Sequence, residues 1–223
     1  MQPLRRKYIF TSLAFVAICL ASAVTTRADS VVIGGTSSNL VSAVINISSF
    51  NPGTANTNGT LVFTVQNTGQ GVITAVGFDL PGTLRTGFTG SVSGQPAGQA
   101  FGFFTNDSQV PQFQGAVLDF GFGSTNNPNQ TPDFTSGATG TGIQPGQTSG
   151  TFTVTGPFFG LTQAQILAGA FVRFQGIPGN PSSDVARPVG TPPPTAVPEP
   201  ATMILLGTGL AGVVAKVRRR RKQ

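Results

Sequence analysis

Short runs of alternating apolar and polar residues, separated by Asn, Gly and Pro, fill the centre of this 223-residue chain. Such alternation puts apolar side chains on one face of a β-strand and polar side chains on the other. In residues 61–65, for example, Leu61, Phe63 and Val65 are apolar while Thr64 is polar. Because turn-forming residues follow each run, successive strands are expected to be short and antiparallel. The pattern predicts strands at 40–48, 60–66, 72–80, 87–93, 100–105, 115–120, 150–155 and 170–175.

These strands predict an all-β fold, an antiparallel β-sandwich that is jelly-roll-like. One short helix is expected at 162–168, where Thr162 and Gln165 have the spacing of a capping box. The β-sandwich domain is predicted to cover residues 29–176. Residues 177–197 are rich in proline and are expected to form an extended linker.

Missing residue types exclude several kinds of active site. The chain has no His, and its one Cys, Cys19, lies near the N-terminus, outside the predicted β-domain. Neither imidazole catalysis nor a thiol nucleophile is therefore expected in that domain. Residues 29–198 hold six Asp, three Arg and no Lys, so the net charge of +6 comes from the two ends. We expect no enzyme activity, no cofactor, no metal ion and no nucleic-acid partner.

The first 28 residues have the features of a secretory signal peptide. A positive stretch at 5–7 precedes an apolar run at 8–24, which is expected to be helical, and small residues follow it. Signal peptidase is expected to cleave between Ala28 and Asp29, with residues 21–23 as the alternative site. A membrane anchor that is never cleaved is the other interpretation of this segment.

The C-terminal segment, 198–223, combines a proline motif, an apolar run and a basic end. A helix over residues 201–217 would be about 25 Å long at about 1.5 Å per residue, which is enough for a thin bilayer. The basic residues after it predict a cytoplasmic C-terminus with the β-domain outside the cytoplasm. An ordinary single-pass tail anchor would share these features, apart from the proline motif. The residues that define the segment are Pro198, Glu199, Pro200, Arg218, Arg219, Arg220 and Arg221.

This order of parts resembles the PEP-CTERM sorting signal, which consists of a Pro-Glu-Pro motif, a transmembrane helix and an arginine-rich end. The resemblance covers about 25 residues and does not extend to the β-domain. It implies sorting and processing by exosortase, a cysteine-protease-like membrane enzyme. It also implies a bacterium that makes exopolysaccharide, with an inner-membrane precursor that ends at the cell surface or in the extracellular matrix.

Carboxylates are the only groups in the β-domain suited to acid–base chemistry. A glycosidase needs two facing carboxyl groups, and Asp79, Asp107, Asp119 and Asp133 are the candidates. Their spacing selects no pair, and isolated Asp residues usually accept hydrogen bonds from a local turn. The oxygen-rich loop at 126–133 is compatible with calcium but is interpreted first as a turn.

The predicted β-domain contains sixteen of the eighteen Phe residues and has neither Trp nor Tyr. Phe is a core residue, whereas sugar-binding platforms at wet surfaces favour Trp and Tyr, so these rings are expected to be buried. The chain is therefore interpreted as an exported structural or adhesive protein associated with exopolysaccharide. Two alternatives remain open, a secreted carbohydrate-binding module and a glycoside-active enzyme. Exposed aromatic rows or a calcium cluster would favour the carbohydrate-binding module.

Overall fold

A computed structural model describes residues 29–127, 130–179 and 182–189. The predicted signal helix and transmembrane helix lie outside these residues. Within them, no helix is both long and apolar enough to span a membrane. Strands account for most of the regular structure: β1 Asp29–Gly35, β2 Ser42–Asn51, β3 Gly59–Asn67, β4 Val72–Phe78, β5 Thr89–Ser93, β6 Phe101–Asp107, β7 Leu118–Ser124, β8 Thr151–Gly156, β9 Ala170–Gln175 and β10 Ser183–Pro188.

All ten strands belong to one antiparallel sheet with the order β5-β8-β3-β2-β1-β10-β9-β4-β7-β6. The sheet curls until its two edge strands, β5 and β6, lie side by side. A Cβ atom on Gly90 of β5 would lie 2.1 Å from the ring of Phe103 on β6. Among the described residues, no backbone hydrogen bond joins these two strands. The sheet is therefore nearly closed.

The hydrophobic core lies between the two halves of this sheet. Phe63 on β3 packs edge-on against Phe78 on β4, with ring centres 5.2 Å apart, although four strands separate β3 and β4 in the sheet order. The ring centres of Phe122 on β7 and Phe152 on β8 are 4.5 Å apart. Such ring pairs add to the free energy gained by burying the apolar surface. The predicted all-β antiparallel fold is confirmed, with its strands in one nearly closed sheet.

A second hydrophobic cluster lies on the outer face of the β10-β9-β4-β7 half. Leu118 and Phe171 from the strands pack there with Val110 and Phe134 from the loops. Phe113 is partly buried against the same cluster. The loops that follow β6 and β7 therefore cover this outer face.

One short α-helix, α1 Gln163–Ala168, precedes β9. The predicted capping box is present at its start: the Thr162 backbone N–H donates to Gln165 Oε1 at 2.9 Å, and the Gln165 backbone N–H donates to Thr162 Oγ1 at 3.3 Å. Ile166 and Leu167 are buried. The prediction of a single short helix in the β-domain is confirmed for the described residues.

Two strands were not predicted, and one of them corrects the domain boundary. Strand β10 lies inside the segment 177–197, which was predicted to be a linker, so the β-domain extends past residue 176. Pro181 precedes β10 in the sequence and Pro188 is the last residue of the strand, where it pairs with Ile33, so no proline interrupts residues 183–187. β1 was also missed. Because it pairs with β2 and β10, it connects the two ends of the described chain.

Candidate functional site

Two of the four candidate carboxylates serve as acceptors for local turns, as expected. Asp107 Oδ1 accepts the backbone N–H of Gln109 at 2.8 Å, and its Oδ2 accepts that of Phe134 at 2.7 Å. Asp133 Oδ1 accepts the backbone N–H groups of Thr135 at 2.7 Å and Ser136 at 2.5 Å. Partial burial raises the pKa of Asp133, but these hydrogen bonds outweigh it and lower the pKa below its ordinary value.

Asp119 on β7 is a buried acceptor, with only 1% of its surface exposed. Its Oδ2 accepts the backbone N–H of Leu80 at 2.7 Å, and its Oδ1 accepts that of Arg85 at 2.5 Å. These bonds attach the loop after β4 to β7. The same loop is fixed from its other side, because Arg85 Nη1 donates to the carbonyl of Pro157 at 2.7 Å.

Asp79 lies close enough to Asp119 for the two charges to interact. Partial burial raises the pKa of Asp79 above its ordinary value, the charge of Asp119 raises it further, and Arg187 opposes both effects. A glycosidase needs two carboxyl groups that both reach the substrate. Asp119 cannot do so, because it is buried and bonded to two backbone N–H groups. The one pair that interacts is therefore not arranged as a glycosidase pair.

Arg187 on β10 lies on the aromatic part of the second cluster. Its guanidinium carbon is 4.6 Å from the ring centre of Phe171 and 5.2 Å from that of Phe113. Contacts of this kind are cation–π interactions, and they use the face of each ring. Arg187 is exposed, so these rings position its positive charge at the surface, close enough to Asp79 to oppose the rise in that residue's pKa.

The oxygen-rich loop at 126–133 shows turn geometry in its described part. The Asn127 backbone N–H donates to Thr125 Oγ1 at 3.1 Å, and Thr125 Oγ1 donates to the Asn127 carbonyl at 2.6 Å. No group of three or more His, Cys, Asp or Glu side chains in the described ranges could hold a metal ion. The calcium interpretation of this loop gains no support.

The Phe side chains that were expected in the core are buried. The runs 101–104 and 157–159 alternate less regularly in the sequence, which predicts that one of the two is exposed. Phe159 is 55% exposed, while Phe158 beside it is fully buried. In the part of the chain that the structure describes, Phe159 is the only Phe side chain that is exposed, so these residues form no row of exposed aromatic rings. The Phe residues confirmed in the core are Phe63, Phe78, Phe120, Phe152 and Phe171.

The outer face of β3, β8 and β5 is a regular array of hydroxyl groups, which the sequence analysis missed. In one cross-strand row, Thr60 on β3 faces Thr155 on β8, which in turn faces Thr89 on β5. In the next row, Thr153 lies between Val62 and Ser91. We call this surface the hydroxyl face, and its hydroxyl residues are Thr60, Thr64, Thr89, Ser91, Ser93, Thr151, Thr153 and Thr155.

The hydroxyls of this face are accessible to solvent and have no partner within the domain. Thr89, Ser91 and Ser93 are exposed, and the Thr residues on β3 and β8 are partly exposed. Among the described residues, none donates a hydrogen bond to these hydroxyls or accepts one from them. The signal that could have found the face was present in the sequence, since Thr or Ser recurs at alternate positions of the predicted strands 87–93 and 150–155, and at Thr60 and Thr64 of the predicted strand 60–66. The strand order, which places β3, β8 and β5 side by side, could not be predicted from the sequence.

Comparison with known proteins bears on the C-terminal segment. Residues 196–221 match the family model of the PEP-CTERM protein-sorting motif. This chain carries a PEP-CTERM sorting motif. The motif marks an exported protein that exosortase sorts, which confirms the resemblance drawn from Pro198, Glu199 and Pro200. No family model matches the β-domain, and no curated protein or solved structure matches the chain.

Proposed function

We propose that this PEP-CTERM protein is a structural or adhesive component of the cell surface, held in an exopolysaccharide matrix after processing. The observation that carries the proposal is the sorting motif at 196–221, which assigns the chain to an export route. The β-domain supports a structural role because its buried carboxylates, Asp119 and Asp184, hold loops in place. We also propose that the β-domain acts without enzyme activity of its own.

The proposed precursor is anchored in the inner membrane through residues 201–217. The four arginines at 218–221 keep the C-terminus in the cytoplasm by the positive-inside rule. The secretion machinery recognises residues 1–28 and moves the β-domain across the membrane. Signal peptidase then cleaves before Asp29.

Glu199 is proposed to be the residue of the motif that exosortase recognises. Pro198 and Pro200 disfavour helix and leave the backbone between them accessible to an enzyme. A carboxylate at the membrane–water boundary stays hydrated and can pair with a cationic pocket at modest desolvation cost.

Substitution of Glu199 tests the export route. We expect Glu199→Ala to leave export intact and to stop C-terminal processing, so that the precursor accumulates in the membrane fraction at a higher mass than the mature protein. Thr195→Ala is the matched control, because it lies just before the matched residues 196–221 and leaves Pro198, Glu199 and Pro200 unchanged. Mass spectrometry of the membrane and medium fractions measures both outcomes.

Replacing all four arginines at 218–221 with Gln tests the orientation step separately. We expect this variant to lose sorting because the charge that retains the C-terminus in the cytoplasm is gone.

If Glu199→Ala protein reached the medium at the wild-type mass, Glu199 would not be the recognised residue, and a plain tail anchor would explain the segment better.

A further inference from the structure

The two outer faces of the β-domain differ in how far loops cover them. On the β10-β9-β4-β7 half, loops bring Val110 and Phe134 down over the strands and bury a second cluster. On the hydroxyl face, the side chains of β3, β8 and β5 remain accessible. A sheet face that is left uncovered and carries one type of functional group is a candidate contact surface.

The chemistry of the hydroxyl face excludes several kinds of partner. The strands β2, β3, β8 and β5 contain no charged residue at all, so nothing there attracts a nucleic acid or an acidic polymer. Val62 is the one apolar side chain in the array, whereas the centre of a protein–protein interface is rich in apolar and aromatic groups. The partner that matches this surface is uncharged and rich in hydroxyl groups.

The array also has a fixed spacing in two directions. Neighbouring strands are about 4.8 Å apart, and successive outward residues on one strand are about 6.7 Å apart. Each hydroxyl can both donate and accept a hydrogen bond, so the face can bond to a ligand hydroxyl whether that group acts as donor or as acceptor. The β-branched Thr side chains have restricted rotamers, so little conformational entropy is lost on binding.

We propose that the hydroxyl face binds the surface of a neutral polysaccharide, an inference that rests on the proposed function and names its ligand class. A single hydrogen bond exposed to water contributes little, so one sugar unit binds weakly. A polymer that presents many hydroxyls engages several residues at once, and the contributions then combine.

Binding of the full-length chain, purified in detergent, to insoluble polymers tests the proposal. The probes are microcrystalline cellulose and curdlan as neutral polymers, and calcium alginate beads as an acidic one. The test variant is Thr64→Val, Thr153→Val and Thr155→Val together, which removes three hydroxyls and keeps the β-branched shape. The matched control is Thr83→Val, Thr86→Val and Thr105→Val, which are exposed threonines outside the hydroxyl face.

We expect saturable binding to at least one neutral polymer that is about tenfold weaker for the test variant alone. Binding to alginate, to which the basic ends of the full-length chain contribute, should be the same for wild type and test variant. Equal binding by wild type and test variant would overturn the inference, while any binding to neutral polymer would still support a matrix protein. A wild type that binds neither neutral polymer, or a test variant that loses as much binding to alginate as to the neutral polymer, would overturn it too. Normal processing at Glu199 would then show that the export part of the proposed function stands.

Self-association is the remaining alternative for this face, and sedimentation velocity of the same samples distinguishes it. Two copies could pair through their hydroxyl faces, which would change the oligomeric state of the test variant. We expect wild type and test variant to sediment alike. A smaller species for the test variant alone would assign the face to contacts between copies and overturn the polysaccharide inference.

Discussion

Asp184 on β10 holds the loop that follows β1. Only 1% of its surface is exposed. Its Oδ2 accepts the backbone N–H groups of Ser37 at 3.0 Å and Ser38 at 2.8 Å, while its Oδ1 accepts the Thr36 hydroxyl at 3.0 Å. Removing the carboxylate would leave the buried Val185 N–H, which donates to Oδ1 at 2.8 Å, without this acceptor, and the N–H groups of Ser37 and Ser38 would have to bond to water instead.

We expect Asp184→Ala to lower the free energy of unfolding by about 1–3 kcal/mol, because that is about the cost of leaving a buried donor unpaired. Asp184→Asn keeps the shape and one acceptor oxygen, so its loss should be smaller. Asp29→Ala is the control, and a surface change of this kind should stay within about 0.5 kcal/mol. Urea denaturation followed by circular dichroism measures all three, and a loss for Asp184→Ala no larger than the control would contradict this role.

Asp79 gives the stability of the β-domain a dependence on pH. Its pKa is raised in the folded state by burial and by Asp119, so between the ordinary and the raised pKa the folded state binds more protons than the unfolded state. Stability therefore falls as pH rises through that interval, and at neutral pH the ionised Asp79 is destabilising. We expect Asp79→Asn to raise the melting temperature at pH 7 and to leave it nearly unchanged at pH 3.

Asp133 is the control of opposite sign for that measurement. Its pKa is lowered in the folded state, so its contribution to stability is present at neutral pH and is lost as pH falls through the folded pKa. Asp133→Asn should therefore lower the melting temperature at pH 7 and weaken the loss of stability in acid. If both variants moved the melting temperature at pH 7 in the same direction, the assignment of the two shifts would be wrong.

Single residues were predictable from the sequence where their partners are local. The interpretation of Asp107 and Asp133 as turn acceptors is confirmed, since Gln109 and Thr135 are each two positions away. Asp119 could not be assigned in this way, because its partners Leu80 and Arg85 are 39 and 34 positions away. A contact at that separation depends on which strands pair, and side-chain chemistry alone does not specify it.

At the level of secondary-structure elements, the two reciprocal hydrogen bonds of the α1 capping box make a contribution to stability that can be measured. We expect Thr162→Ala to cost about 1 kcal/mol, because the first turn of the helix loses the acceptor for one of its free backbone N–H groups. Gln165→Ala removes the reciprocal bond to the Thr162 backbone N–H. The double variant should cost less than the sum of the two single changes, because each bond orients the other residue. Strict additivity in thermal denaturation would mean that the two bonds act independently.

Strands were predictable where alternation was strong and turns were clear. The bounds of β9 agree with the prediction at 170–175, and those of β3 extend the predicted 60–66 by one residue at each end. β7 begins three residues later than the predicted 115, because residues 110–116 form turns, with hydrogen bonds from Phe113 N–H to the Val110 carbonyl and from Ala116 N–H to the Phe113 carbonyl. β10 was hidden by the proline content around it.

For the whole molecule, the sequence predicted the class of fold but not how the sheet is ordered. β3 pairs with β8 and β1 with β10, and these pairs are distant in sequence. Many strand orders would bury the same alternating residues, so alternation alone does not choose among them. The hydroxyl face depends on that choice, because Thr60, Thr155 and Thr89 lie in one row only when β8 lies between β3 and β5.

The charge of the processed molecule connects the β-domain to the sorting route. Residues 29–198 carry six Asp against three Arg, whereas the full chain carries a net charge of +6 and has a sequence pI of about 10.8. Loss of both terminal segments therefore changes the sign of the net charge. We expect the mature protein recovered from the medium to focus well below pH 7, and the Glu199→Ala precursor to focus at a clearly higher pH because it keeps Arg218–Arg221. Isoelectric focusing of both species, with the masses checked in parallel, measures this difference. A basic focusing point for the wild-type protein in the medium would mean that the arginine-rich end is retained and that exosortase does not remove it.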